Sequence, residues 1–137
     1  MIIDAHAHII VPEITRDSAP DEAWRPAVSW QDGQQVIDFA GKPIKSAIRE
    51  FVQIDTILLE QQKAGVDHVL LCPWVSILKY DTTVDDGLRI SRIHNDALLK
   101  IVQNHPERVS ALGSIPLQDP ELAARELQAL MKSGLRG

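Results

Sequence analysis

Apolar residues recur along this chain in two rhythms. Ile2 to Ile10 is short, β-branched at its ends and bounded by Pro12, which predicts a buried strand. Residues 11 to 35 lose that pattern: Pro12, Pro20 and Pro26 mix with Asp17, Asp21 and Glu22, as in a surface excursion rather than a linker to a second domain. Val36 to Ile44 alternates as a short strand punctuated by Gly41 and Pro43, so a small β insertion is expected at about residues 11 to 44.

The remainder is more regular. Ile54, Ile57, Leu58 and Gln61 fall at helical spacing, with Gly65 placed to close the helix. Val66 to Cys72 reads as a buried parallel strand stopped by Pro73, followed by a loop from Trp74 to Asp85. Ile90, Ile93, Ala97, Leu98 and Ile101 mark a second helix ending before Pro106. Val109 to Ile115 is the next strand, up to Pro116. Asp119 caps a third helix with Pro120 in its first position, Leu122, Ala123, Leu127, Leu130 and Met131 on its apolar face, and Gly134 at its end. Leu135-Arg136-Gly137 looks like the entry to a further strand.

This βα alternation predicts an α/β fold with a parallel sheet. Three βα units and the start of a fourth amount to about half of a (β/α)8 barrel, which typically needs roughly 250 residues. The expectation is therefore an incomplete barrel domain over residues 1 to 137, the N-terminal part of something longer.

Composition narrows the class. Of 137 residues, 45% are apolar and 24% charged, which excludes a disordered tail, a collagen-like repeat and a disulfide mini-scaffold. A formal net charge of −5 gives no electrostatic reason to expect nucleic acid or an anionic membrane as partner. Cys72 is the one cysteine and fits a reducing compartment. No apolar run approaches the roughly 20 residues of a membrane span, and the N-terminus lacks a signal-peptide layout. A cytoplasmic protein is expected.

The residues that carry chemistry are Asp4, His6 and His8. Alternate side chains on a strand share a face, so all three are expected to point the same way. Two imidazoles at i and i+2 converge readily on one ion, and zinc, iron, copper or nickel suit such ligands. Asp4 is either a further ligand or an acceptor that orients a histidine through its other ring nitrogen. A bare His-x-His is by itself more often incidental. Its place on the first strand of a βα series, with Asp two residues before it, favours metal, because barrel active sites lie at strand C-termini.

Other candidates are weaker. His68 sits at the opposite strand end, His94 inside a helix, and His105 at a helix end where the dipole favours it. Cys72 reads as packing. Trp74 either lines a pocket for a flat substrate or covers the barrel rim. No Gly-x-Gly-x-x-Gly, phosphate-cradling loop or Gly-x-Ser-x-Gly elbow occurs.

Several segments together resemble the amidohydrolase superfamily, and within it the amidohydrolase-related branch that includes aminocarboxymuconate semialdehyde decarboxylase. They are Ile3-Asp4-Ala5-His6-Ala7-His8, Ala64-Gly65-Val66-Asp67, Asn95-Asp96, His105-Pro106-Glu107-Arg108, Pro116-Leu117-Gln118-Asp119-Pro120 and Gly134-Leu135-Arg136-Gly137. TatD-like nucleases and PHP-type phosphoesterases also begin with His-x-His, so the later segments select the branch. The resemblance implies a TIM-type barrel with a small β insertion after strand one. It further implies a divalent metal, usually zinc, on His6, His8, a later histidine and a late aspartate. The remaining ligands and the catalytic histidine are expected after Gly137.

An arginine that binds substrate carboxylate in the decarboxylase aligns loosely with Lys45, which keeps the charge but loses the bidentate fork. Arg49 is a neighbouring candidate. The implied activity is decarboxylation or hydrolysis of a small carboxylated substrate through a metal-bound water, in an enzyme whose relatives suggest a homodimer. Two rivals remain at this point. One is a non-catalytic binding or assembly module with open strand edges. The other is a TatD-like metal nuclease, against which the acidic balance argues.

Overall fold

The computed structural model describes residues 1–16, 22–39, 42–46 and 53–137. Their elements run β1 (Ile3–Ile9), α1 (Pro12–Thr15), β2 (Ala27–Gln31), β3 (Gln34–Phe39), β4 (Lys42–Ser46), α2 (Ile54–Lys63), β5 (His68–Pro73), α3 (Val84–Asn104), β6 (Val109–Ala111) and α4 (Pro120–Ser133). A single 3₁₀ turn, Val75–Ile77, interrupts the segment expected to be plain loop.

Strands β1, β5 and β6 form a parallel sheet in that order. Along β5, Val69, Leu71 and Pro73 are buried while His68, Leu70 and Cys72 are only half-buried. The buried row meets Leu58 of α2, Ile90, Ala97 and Leu98 of α3, and Leu130 of α4 in one apolar core. That core is where burial of apolar surface stabilises the α/β fold.

The helix ends follow local chemistry. Thr83 caps α3 by accepting from the Asp86 amide at 3.2 Å, and Asp119 caps α4 by accepting from the Leu122 amide at 2.9 Å. Asp85 and Asp86 lie in the first turn of α3, where the helix dipole favours negative charge. At the end of α2, the Gly65 amide donates to the Gln62 carbonyl and the Val66 amide to the Gln61 carbonyl, at 3.0 and 2.9 Å. This paired closure requires a left-handed residue, and Gly65 has φ +76°.

Four expectations need correction. Val36 to Ile44 is not one strand: β3 and β4 are antiparallel partners with Ile37 opposite Ile44, and Gly41 falls outside the described residues. A further strand, β2, precedes them, joined to β3 by the two-residue turn Asp32-Gly33 with φ +52° and +77°. Asp-Gly is the preferred chemistry for a hairpin turn with two positive φ values. The three-stranded sheet runs to Ser46, slightly past the expected insertion boundary.

Strand β6 stops at Ala111 rather than Ile115. Beyond it, the Asn95 side chain on α3 replaces a neighbouring strand: the Ser114 amide donates to Asn95 Oδ1 at 2.7 Å, and Asn95 Nδ2 donates to the Ser114 carbonyl at 2.9 Å. A Cβ on Gly113 would stand 2.5 Å from Asn95 Oδ1, so glycine is what allows this approach. Residues 135 to 137, expected to enter a further strand, form none here, although the Arg136 amide donates to the Ala111 carbonyl at 2.9 Å.

Candidate metal centre

His6 and His8 meet near the C-terminal end of β1. Their Nε2 atoms are 3.0 Å apart, with ring centroids at 4.6 Å and the planes nearly perpendicular. Two nitrogens bound at about 2.0–2.1 Å to one tetrahedral ion stand about 3.3 Å apart, and about 2.9 Å on adjacent corners of an octahedral one. The observed spacing lies between these values, so the pair fits a divalent metal.

The tautomers agree with that fit. His8 Nδ1 lies 3.2 Å from the Pro73 carbonyl, a bond in which the ring must donate. This leaves His8 Nε2 as an acceptor facing His6. Without an ion, the His6 Nε2–H donates to it; a metal would take the place of that proton. Among the described residues, no third His, Cys, Asp or Glu joins them in a group able to hold a metal ion.

Asp4 does not share their face. The register of β1 on β5 shifts between Asp4 and Ala7: Asp4 stands opposite Val69 and Ala7 opposite Leu71, so β1 carries one residue more than its partner. Val69 is 1% exposed, in the row that packs under the helices. Asp4 accordingly reaches α2, where Gln61 Nε2 donates to its Oδ2 at 2.8 Å, while its Oδ1 accepts from the His6 backbone amide at 3.1 Å. The carboxylate contacts the Gln61 side chain and the His6 main chain rather than either imidazole ring. Strict alternation fails here because a bulge inserts one residue.

The other sequence candidates disperse. Cys72 is opposite His8 in the ladder, but burial pushes its thiol above the ordinary value, which disfavours the thiolate that binds metal. Trp74 extends the pairing at the strand end, its amide donating to the Ile9 carbonyl at 3.1 Å, and its half-buried indole packs on the core. Lys45 sits in β4 opposite Val36, and Arg49 lies outside the described residues. His68 is structural: its Nδ1 meets the Glu107 carbonyl and its Nε2 the Ser110 hydroxyl. His105 is the residue that ends α3.

Two polar side chains, Gln61 and Asn95, have roles that the sequence did not assign to them. Gln61 falls on the apolar stripe of α2, and a polar residue at such a position is itself the signal of an inward partner. Asn95 belongs to a buried network with Ser114 and Ser91, whose hydroxyls are 3.0 Å apart. His94 is fully buried within α3, its Nδ1 bound to the Ile90 carbonyl at 2.9 Å, and desolvation lowers its pKa to about 4. The groove between α3 and α4, lined by Arg92, Asn95, Asp96, Leu99, Glu126 and Ser133, is on the helical side and not at the histidine pair. No helix among the described residues is long and apolar enough to cross a membrane.

No family model matches the chain. It is 26% identical over 122 residues to a gamma-resorcylate decarboxylase of Rhizobium radiobacter, covering 88% of this chain and 32% of that protein. Its fold is similar to that of 5-carboxyvanillate decarboxylase LigW from Sphingomonas paucimobilis, with TM-score 0.71 and 22% identity over 99% of this chain and 41% of the other. A dihydroxybenzoic acid decarboxylase from Polaromonas sp. JS666, solved with manganese and the inhibitor 2-nitroresorcinol, gives TM-score 0.70 and 24% identity over 98% and 36%. The chain thus spans about a third of the length of the curated relatives it matches. Fold and sequence agree with the motifs: along nearly its whole length this chain is similar to gamma-resorcylate, 5-carboxyvanillate and dihydroxybenzoic acid decarboxylases.

Proposed function

We propose that this chain carries the first-strand metal ligands, His6 and His8, of a metal-dependent decarboxylase acting on a small carboxylated aromatic acid, in a TIM-type barrel. The observation that carries this reading is the convergence of the two Nε2 atoms at 3.0 Å at the C-terminal end of a parallel strand. The likeness to decarboxylases of hydroxylated benzoic acids supports the lyase over the hydrolase alternative.

A divalent cation, zinc or manganese, would supply a Lewis acid at that point. The chain's own residues do the rest of what is visible. The Pro73 carbonyl holds His8 in the tautomer that frees Nε2, and the close-packed sheet holds both rings on one side. A third histidine, an aspartate and the catalytic histidine are assigned by the resemblance to positions after Gly137. Lys45, Arg49 and Trp74 stay the candidates for substrate contact. A cytoplasmic homodimer completes the proposal.

The test is a titration of the protein with Zn2+ and Mn2+, paired with release of carbon dioxide from 2,6-dihydroxybenzoate. Metal binding should disappear in the His6→Ala/His8→Ala double variant. Unchanged metal content in that variant would overturn the assignment.

A further inference from the structure

We propose that Asp4 and Gln61 form a positioning clamp that aims His6 at His8, an inference that rests on the metal reading of the imidazole pair. In an unbroken strand, Asp4, His6 and His8 would lie in one row. Here the register shift between Asp4 and Ala7 turns Asp4 toward α2 and leaves His6 beside His8. A bulge takes a backbone group out of the ladder. The His6 amide is instead donated to Asp4 Oδ1 at 3.1 Å.

The other carboxylate oxygen is anchored from outside the strand, at 2.8 Å from Gln61 Nε2. Gln61 is itself well held, because its carbonyl closes the end of α2 by accepting from the Val66 amide at 2.9 Å. One carboxylate therefore ties the irregular point of β1 to a rigid helix end. Without it, the His6 amide has lost its partner at the irregular point of β1, and the backbone there is no longer tied to α2. The His6 ring would then lose its fixed aim at His8. The clamp acts through the backbone, so Asp4 and Gln61 are positioning residues and touch no ion.

The experiment measures Zn2+ affinity by calorimetry, thermal midpoint, and exchange of the His6 amide by NMR, on the full chain and on Asp4→Ala, Asp4→Asn and Gln61→Leu. Asp4→Ala and Gln61→Leu should each weaken zinc binding by about 10-fold, the usual scale for groups that orient a ligand. Asp4→Asn should restore it to within about 3-fold, because its Oδ1 still accepts from the amide while the Gln61 amide turns to pair with its nitrogen. The His6 amide should exchange faster in Asp4→Ala. Parent-like zinc affinity in both Asp4→Ala and Gln61→Leu, or losses matched by the fall in folded fraction, would overturn the clamp. Should the parent itself bind no zinc, or bind it equally well after His6→Ala/His8→Ala, the metal reading fails. The His6 amide then decides alone, and unchanged exchange in Asp4→Ala overturns the clamp.

Discussion

His68 and His8 lie on the same sheet at opposite ends of its strands. At the N-terminal end, both ring nitrogens of His68 are engaged, one by the Glu107 carbonyl at 3.2 Å and one by Ser110 Oγ at 2.9 Å. At the C-terminal end, His8 has one nitrogen on the Pro73 carbonyl and turns the other toward His6. The first arrangement closes a strand end. The second leaves a nitrogen that, among the described residues, meets another imidazole. A ring with both nitrogens spent on the fold has nothing left for chemistry, and a ring with one spent is oriented for it. The same residue type thus serves stability at one end and a candidate metal centre at the other, as the polarity of a parallel βα sheet leads one to expect.

Exchanging the roles should break this contrast. His8→Ala is expected to reduce Zn2+ binding below detection by calorimetry, whereas His68→Ala should leave it within about 3-fold of the parent, far less than the 10-fold or more expected of ligand-orienting groups. Equal losses would show that the two ends are not functionally distinct.

His94 extends the comparison to a third environment, a ring that is fully buried. The unfolded chain takes up a proton on this imidazole near its ordinary value of 6.5, the folded chain only at about 4. The unfolded state therefore binds more protons between those values, and stability must fall as pH drops through that window. The contribution is fully present above pH 6.5 and diminishes by on the order of 3 kcal/mol down to about pH 4. Urea midpoints at pH 7 and pH 4.5 should show this slope, and His94→Leu should flatten it.

Smaller effects follow for the structural contacts. Asn95→Ala leaves the Ser114 amide and carbonyl without their partner and should cost about 2 kcal/mol in urea unfolding, within the range for buried groups left unsatisfied. His68→Ala should cost about 1 kcal/mol, the usual net worth of such hydrogen bonds. Below both, Arg92→Ala removes a bidentate pair with Glu126 at an exposed arginine, for which a loss under about 1 kcal/mol is expected because solvent screens it. A larger loss would mean that the groove between α3 and α4 is more tightly packed than its solvent exposure suggests.

Much of this molecule was legible in one dimension, because local signals have local causes. Asp119 and Pro120 begin a helix, Gly65 and Gly134 end helices, and the β-branched runs at β1 and β5 are strands, each through the conformational preference of a few adjacent residues. Asp32-Gly33 carried an equally local hairpin signal, although β2 went unread beside it. The His-x-His pair was legible because a strand repeats every two residues.

What no local pattern contained is the register of β1 against β5. A period of two assigns Asp4, His6 and His8 to one face, but the added residue before Ala7 is specified by the partner strand and by Gln61, which is 57 positions from Asp4 along the chain. The early end of β6 has the same origin, since Asn95 competes for Ser114 from a different helix. Such choices are made when elements pack, because a buried amide or carboxylate must find its hydrogen-bond partner wherever the fold brings one within reach. Residue types and short-range spacing therefore set out the α/β order and the imidazole pair. Packing chose which side of the sheet Asp4 would take, and with it the means of holding that pair together.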